Sequence, residues 1–291
     1  MQLSCQQCGA QSELPPNRRS ARCPYCGSQQ IVTGPTDPDA PSPTFLIPFK
    51  VQRAEALALA RAWKRSLRHL FRIHAFRAAP IEEIEGALLP AYLYTATALA
   101  GYQARCGFSY EVRDDKGNSR TEWEWHSVSG RWEADLTKVF VSASKGVPNH
   151  ALDKIEPFEM SGLRPWSAEG ATGWVIEAPT LSPEAAFPAA DQEARATVER
   201  RLHGFLPGER TKIEALELEL RQPDLEAVQL PLWILPVPIQ GRAEPVRILV
   251  NGQTGKVGGD PPLSWVKITV TALFSLAAIG VAIAAFTGAF S

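Results

Sequence analysis

The stretch that decides the fold runs Phe108-Ser109-Tyr110-Glu111-Val112-Arg113, then a turn-forming segment at 114–119, then Thr121-Glu122-Trp123-Glu124-Trp125. Phe108, Tyr110 and Val112 alternate with Ser109, Glu111 and Arg113, and Thr121, Trp123 and Trp125 alternate with two glutamates. A period of two is the signature of a strand with one buried face, so this reads as a β-hairpin. Indole rings supply large apolar area, and Trp123 and Trp125 on one side of a strand are read as core packing.

Working toward the N-terminus, residues 88–102 read as a further strand with Tyr92 and Tyr94 on one face. Before it, Leu57, Ala60, Lys64, Leu67 and Phe71 recur at helical spacing, which predicts a helix over 53–71 behind a short extended piece at 45–50. Toward the C-terminus, residues 145–174 are interrupted by Pro148, Pro157 and Pro165 and read as loop with short strands. A second helix is predicted over 189–205, with Ala194, Val198 and Leu202 on one face, stopping at Gly204 or Pro207. Strands return at 211–221, 228–239, 247–250 and 256–257. The expected body is α+β, rich in antiparallel sheet, with two main helices. A helix followed by Leu89-Pro90-x-Tyr92 and Gly101, and another followed by Leu230-Pro231-x-Trp233 and Gly241, mark a candidate internal duplication.

Two Cys-x-x-Cys-Gly knuckles open the chain, Cys5-Gln6-Gln7-Cys8-Gly9 and Cys23-Pro24-Tyr25-Cys26-Gly27. Each sets two sulfurs on one tight turn, and a glycine after the second cysteine admits the left-handed bend that aims amides at thiolates. Cys5, Cys8, Cys23 and Cys26 are therefore expected to hold a structural Zn2+ in a closed tetrahedron with no position left for water. A redox reading of the motif requires a thioredoxin-like strand and helix, which this stretch lacks. No apolar export signal is read at the start, so the thiols are expected in a reducing cytosol. Arg18, Arg19 and Arg22 against Glu13 offset the cluster's negative charge, and the whole chain carries a net charge of -1. Phosphate-binding surfaces need concentrated cations, so nucleic acid is an unfavoured partner of this ribbon and protein a favoured one.

Prolines 35, 38, 41 and 43 make residues 34–43 a linker that would uncouple the ribbon from the rest. The expected division is zinc ribbon at 1–33, linker at 34–43, cytoplasmic α+β domain at 44–263 and transmembrane anchor at 264–291. For the anchor, residues 268–290 hold no charge and no proline, and at 1.5 Å each they would span about 34 Å. Trp265 and Lys267 stand where an interface would lie, and small residues such as Gly280 and Gly288 would allow oligomerisation within the bilayer.

The glycine-rich stretch Asn251-Gly252-Gln253-Thr254-Gly255-Lys256-Val257 is not a phosphate loop. Val250 stands where its first glycine is needed and Val257 where a magnesium-binding hydroxyl is needed, so it reads as a turn between strands. His69, His74, His126, His150 and His203 lack metal spacing and a neighbouring nucleophile. His150 with Asp153 and Glu156 reads as a solvated loop, and Cys106 as a buried small hydrophobe. No nucleophile, base and oxyanion donor converge, and no catalytic or cofactor-binding residue is assigned.

Together the knuckles, Ile47-Pro48-Phe49-Lys50, Leu89-Pro90-x-Tyr92, Ile155-Glu156-Pro157-Phe158, Leu230-Pro231-x-Trp233 and the 251–257 motif followed by Gly259 and Pro262 resemble a family of bacterial TFIIB-type zinc-ribbon membrane proteins with a C-terminal anchor. Ala91 and Ala96 depart from its pattern, where bulkier residues are common. The resemblance implies zinc at the four cysteines and no catalytic residues. It also implies a single-pass tail anchor in the inner membrane, with the body in the cytoplasm. Implied partners are the lipid bilayer and proteins similar to phage-shock protein A or carrying SPFH domains. The function so implied is an adaptor or scaffold in envelope-stress or membrane-maintenance assemblies, and the competing reading is a membrane-tethered nucleic-acid-binding protein using Arg18, Arg19 and Arg22.

Overall fold

The computed structural model describes residues 2–13, 23, 25–26, 28, 31–34, 42–66, 70–81, 84–113, 117, 119–242 and 245–288. The ribbon contributes strands β1 (Gln2–Cys5), β2 (Gln11–Glu13) and β3 (Ile31–Gly34). The body begins with β4 (Phe45–Leu46), helices α1 (Arg53–Arg65) and α2 (His74–Ala78), and the long antiparallel pair β5 (Glu85–Arg113) and β6 (Ser119–Ser142). Then come α3 (Asn149–Leu152), β7 (Arg164–Pro165), β8 (Val175–Glu177), α4 (Pro183–Phe205) and β9 (Arg210–Val237). The chain continues through the hairpin β10 (Val246–Asn251) and β11 (Val257–Gly259) to α5 (Trp265–Gly288).

One mixed sheet carries all eleven strands, with the spine β11-β10-β9-β5-β8-β2-β1-β3. At its centre β5 and β9 run antiparallel, with Leu89 opposite Leu230. β8 lies parallel to β5, pairing Val175 with Ala87, and β4 lies parallel to β9, pairing Phe45 with Val228. Ala87 precedes Leu89 by the same two residues that separate Val228 from Leu230. An approximate two-fold therefore relates the halves, each a short strand, a helix, a long strand and a returning strand. Counting on from the matched strands, the cap residue of α1, Gln52, falls opposite that of α4, Ser182. The same count sets Glu177 where the first half has Ile47, and both are fully buried.

The second helix starts earlier than its periodicity suggests. Ser182 caps it by accepting a bond from the Ala185 amide, and Pro183 occupies the first turn, where its missing N–H costs nothing. Ala186, Ala190, Ala194, Val198 and Leu202 form a buried stripe at every fourth residue. Three alanines in that stripe let α4 lie close against the sheet. The first helix ends at Arg65 rather than continuing to 71: the chain turns at Ser66, and Lys64 reaches the Ala79 carbonyl.

Strands expected at 211–221 and 228–239 are one strand, bent where Gln222 takes a φ of 49° and the register with β5 shifts. Away from the body, β6, β5 and the first half of β9 continue as a three-stranded arm with α4 on one face. Trp123 and Trp125 lie on the other face, and Trp125 is 38% exposed. They are not core, because among the described residues no layer covers that side.

The motifs of the body meet in one place. Gly252 accepts the amides of Lys50 and Val51 and donates to the Pro231 carbonyl. The Trp233 indole donates to the Val51 carbonyl at 3.0 Å, and Phe49 stacks on Trp174 at 3.8 Å. The Asn251 amide donates to the carbonyls of Ile155 and Pro157, its oxygen receives the amides of Gln253 and Thr254, and Gln253 clasps the backbone of Glu159. The 251–257 turn between β10 and β11 is thus a buried polar staple, with Gly255 at a φ of 75° completing it.

The C-terminal segment corrects the sequence reading. Among the described residues, no helix is long and apolar enough to cross a membrane. Of the described side chains of α5, the unbroken uncharged run covers residues 268–280, about 20 Å at 1.5 Å per residue against a hydrocarbon core of about 30 Å. The first turn is tied to the body, with the Lys267 ammonium donating to the carbonyls of Leu70 and Arg72 at 3.1 and 2.9 Å. The transmembrane anchor at 264–291, the single-pass inner-membrane localisation and oligomerisation through a membrane helix are therefore withdrawn. Among the described residues the architecture is a sheet-rich α+β body with five α-helices and a cysteine cluster near its N-terminus.

Candidate metal centre

β1 ends at Cys5, and the chain turns back at once: the Cys5 amide donates to the Ala10 carbonyl and the Gly9 amide to the Cys5 carbonyl, both at 2.9 Å. Gly9 takes a φ of 72°, the left-handed conformation its position predicted. The second knuckle closes in the same way, the Cys23 amide donating to the Ser28 carbonyl at 2.7 Å. Gly27 lies outside the described residues, as do Arg18, Arg19, Arg22, His69 and most of the proline linker.

The two turns bring the Sγ atoms of Cys5, Cys8, Cys23 and Cys26 within 4.8 Å of one another. Cys5 stands 3.6 Å from Cys26, and Cys8 stands 3.7 Å from Cys23. A disulfide requires about 2.05 Å, so none forms. A tetrahedral ion with metal–sulfur bonds of about 2.3 Å spaces its sulfurs about 3.8 Å apart, which these distances fit.

The electrostatics of the cluster also suit a cation. Hydrogen bonding to Cys26 and then Cys8 pushes the Cys23 thiol far up, while the same contact with Cys23 pulls Cys26 down. Close-set thiols oppose one another's ionisation. A bound divalent cation removes that opposition and would be held by all four sulfurs.

The centre is not a separate bead. β2 pairs antiparallel with β8, Ser12 opposite Glu177, so the ribbon extends the body's sheet. It occupies the place on the second half that β7 holds on the first, where β7 pairs with β4. Cys5, Cys23, Cys26 and Tyr25 share one apolar cluster with body residues such as Leu89, Val175 and Leu232. A Cβ on Gly146 would lie 2.8 Å from that of Ala10, so only glycine allows this approach. The uncoupling expected of the proline segment gives way to this shared core.

Beneath the second knuckle, the Tyr25 hydroxyl and Glu177 Oε2 are both buried with no well-formed hydrogen bond. Each influences the other's ionisation, and Ser144 donates to Glu177 Oε1. Burial pushes the Glu177 carboxyl up to about 7, against the opposing pull of the Ser144 and Tyr25 hydroxyls and of Arg247. Sequence reading missed Glu177 because only the register with β2 reveals that it faces the ribbon.

The remaining candidates are dispersed. His150 faces Asp260 at 3.9 Å, while Glu156 is pushed up to about 7 by burial and then by Asp153 and Glu193. Cys106 is fully buried beneath Leu202 and Leu206, as a small hydrophobe. His126 lies on the arm near Glu124.

With this geometry described, the chain can be set beside known proteins. No family model matches it. It is 26% identical over 230 residues to the uncharacterized protein YdjG of Bacillus subtilis (strain 168), an alignment covering 78% of this chain and 66%, just under two thirds, of that protein. No solved structure matches.

Proposed function

We propose that this protein is a zinc-ordered adaptor, acting by binding other proteins and not by catalysis. The observation that carries the reading is the four-sulfur cluster built into the body's own core: four thiolates fill a tetrahedral ion's coordination and leave no position for a reacting water, so the ion shapes a surface. Zinc suits four thiolates in a reducing setting better than the harder divalent ions. Exposed Phe108, Tyr110 and Trp125 along the arm add the aromatic character of protein-binding surfaces. The resemblance drawn from the sequence motifs nominates phage-shock-protein-A-like and SPFH-domain proteins as the first partners to test.

Chemical cross-linking in cells producing the tagged full chain, followed by denaturing purification and mass spectrometry, tests the proposal. An adaptor yields reproducible cross-links from defined surfaces to one or more proteins, and their number falls in a Cys5→Ser variant. Recovery of nucleic acid in place of protein would favour the competing reading, and recovery of neither would remove the adaptor.

A further inference from the structure

The arm has one covered face and one bare one. α4 closes over Ala98, Ala104 and Cys106, while the residues between them in β5 point the opposite way. On that bare side Gly107 pairs with both Trp125 and Arg210, Ser109 with Trp123, and Arg105 with Lys212. Direct cross-strand partners share a face, so two indoles and three cations are collected at the far end of the arm.

A side chain on Gly107 would lie only 3.2 Å from the Trp125 ring, so the missing side chain is what lets the indole lie across the strand. The Arg210 guanidinium stands 3.9 Å over the Trp123 ring and that of Arg105 stands 5.7 Å from Trp125. Among the described residues, none of Arg105, Arg210 and Lys212 has a carboxylate within ion-pair distance. Of the nearby acids, Ser109 holds Glu209, Arg120 and Tyr110 hold Glu122 on the opposite face, and Glu111, opposite Thr121, lies farther along the hairpin than Trp123. Arginine stacked on tryptophan keeps its donors turned outward at little entropic cost. Along residues 210–221, β9 pairs with β5 on one side and, among the described residues, with nothing on the other, which leaves main-chain donors and acceptors for an added strand.

We propose that this bare face at the tip of the arm docks an extended, acidic segment of a partner protein, its carboxylates meeting Arg105, Arg210 and Lys212 and an apolar side chain lying over Trp125. The inference rests on the adaptor reading and names the chemistry of the partner. Spaced carboxylates fit better than the continuous charge of a nucleic-acid strand, because Glu217, Glu219 and Glu133 occupy the same face toward the body.

Fluorescence anisotropy of the full chain with a fluorescein-labelled peptide of sequence Glu-Thr-Glu-Thr-Phe-Thr-Glu, whose glutamates and phenylalanine share one side of an extended strand, tests it. Saturable binding is expected, weakened about tenfold by Arg105→Ala with Arg210→Ala, as loss of charge-assisted hydrogen bonds implies. Trp125→Ala should weaken it similarly, and Phe205→Ala, on the covered side, should leave it unchanged. A twin peptide with lysine in place of glutamate should not bind. Absence of peptide binding, indifference to the arginine pair, or tighter binding of oligothymidylate of equal charge would each overturn the proposal. Those results leave the adaptor reading intact where cross-linking still captures a protein, and that reading falls only if no protein is captured.

Discussion

Glu177→Gln isolates the buried carboxyl that lies under the second cysteine knuckle. Glu177 is fully buried, and burial lifts its carboxyl from the ordinary 4.5 to about 7 in the folded protein. The folded state therefore binds the proton more tightly than the unfolded chain, and the sign follows. Stability from this group is fully present below about pH 4.5 and is lost as pH rises toward and through about 7. At about 1.4 kcal/mol per pH unit, the shift amounts to about 3 kcal/mol. Glutamine keeps an oxygen for the Ser144 hydroxyl and carries no charge. Thermal and urea unfolding of wild type and variant at pH 5 and pH 8 should show a small difference at pH 5 and a variant more stable by about 2 to 3 kcal/mol at pH 8. A variant equally destabilised at both values would refute the reasoning, since the carboxylate would then be a stabilising ion.

Three other substitutions probe separate parts of the architecture. Asn251→Ala removes the donor and acceptor that pin the 155–157 backbone and the following turn, and should cost about 3 kcal/mol in urea unfolding with the slope unchanged. Leu202→Ala opens a cavity between α4 and the arm, where Leu202 is fully buried, and should cost about 2 to 4 kcal/mol. Hydrogen exchange should locate that loss in residues of the arm. Trp233→Phe loses the bond to the Val51 carbonyl and should cost about 1 kcal/mol, read as a lowered melting temperature.

The legible parts of this protein were those whose signal is local. Two knuckles at fixed spacing announced the sulfur cluster, and the period-two runs around Tyr110 and Trp125 announced the hairpin. The turn at 251–257 was readable because its glycines and asparagine specify a backbone conformation. Non-local features were hidden. That β2 adds to β8 depends on register between segments more than 160 residues apart, and that Glu177 replaces an apolar residue of the first half depends on the pairings of β8 with β5 and of β4 with β9. Trp123 and Trp125 misled because alternation states that a strand has two faces and cannot say whether a second layer covers either one. The uncharged run over 268–290 misled because composition alone does not establish a membrane-crossing helix, and among the described residues no helix is long and apolar enough to cross.

The central claim is that a thiolate-bound metal orders the ribbon as part of the body's core. Its most direct test is metal analysis of the purified full chain, combined with calorimetric melting before and after a strong zinc chelator. The account predicts one zinc ion per chain and, on its removal, a single transition displaced to markedly lower temperature, because Cys5, Cys23, Cys26 and Tyr25 share one cluster with Leu89 and Leu232. Substoichiometric metal, or a body transition unmoved by its removal, would contradict it.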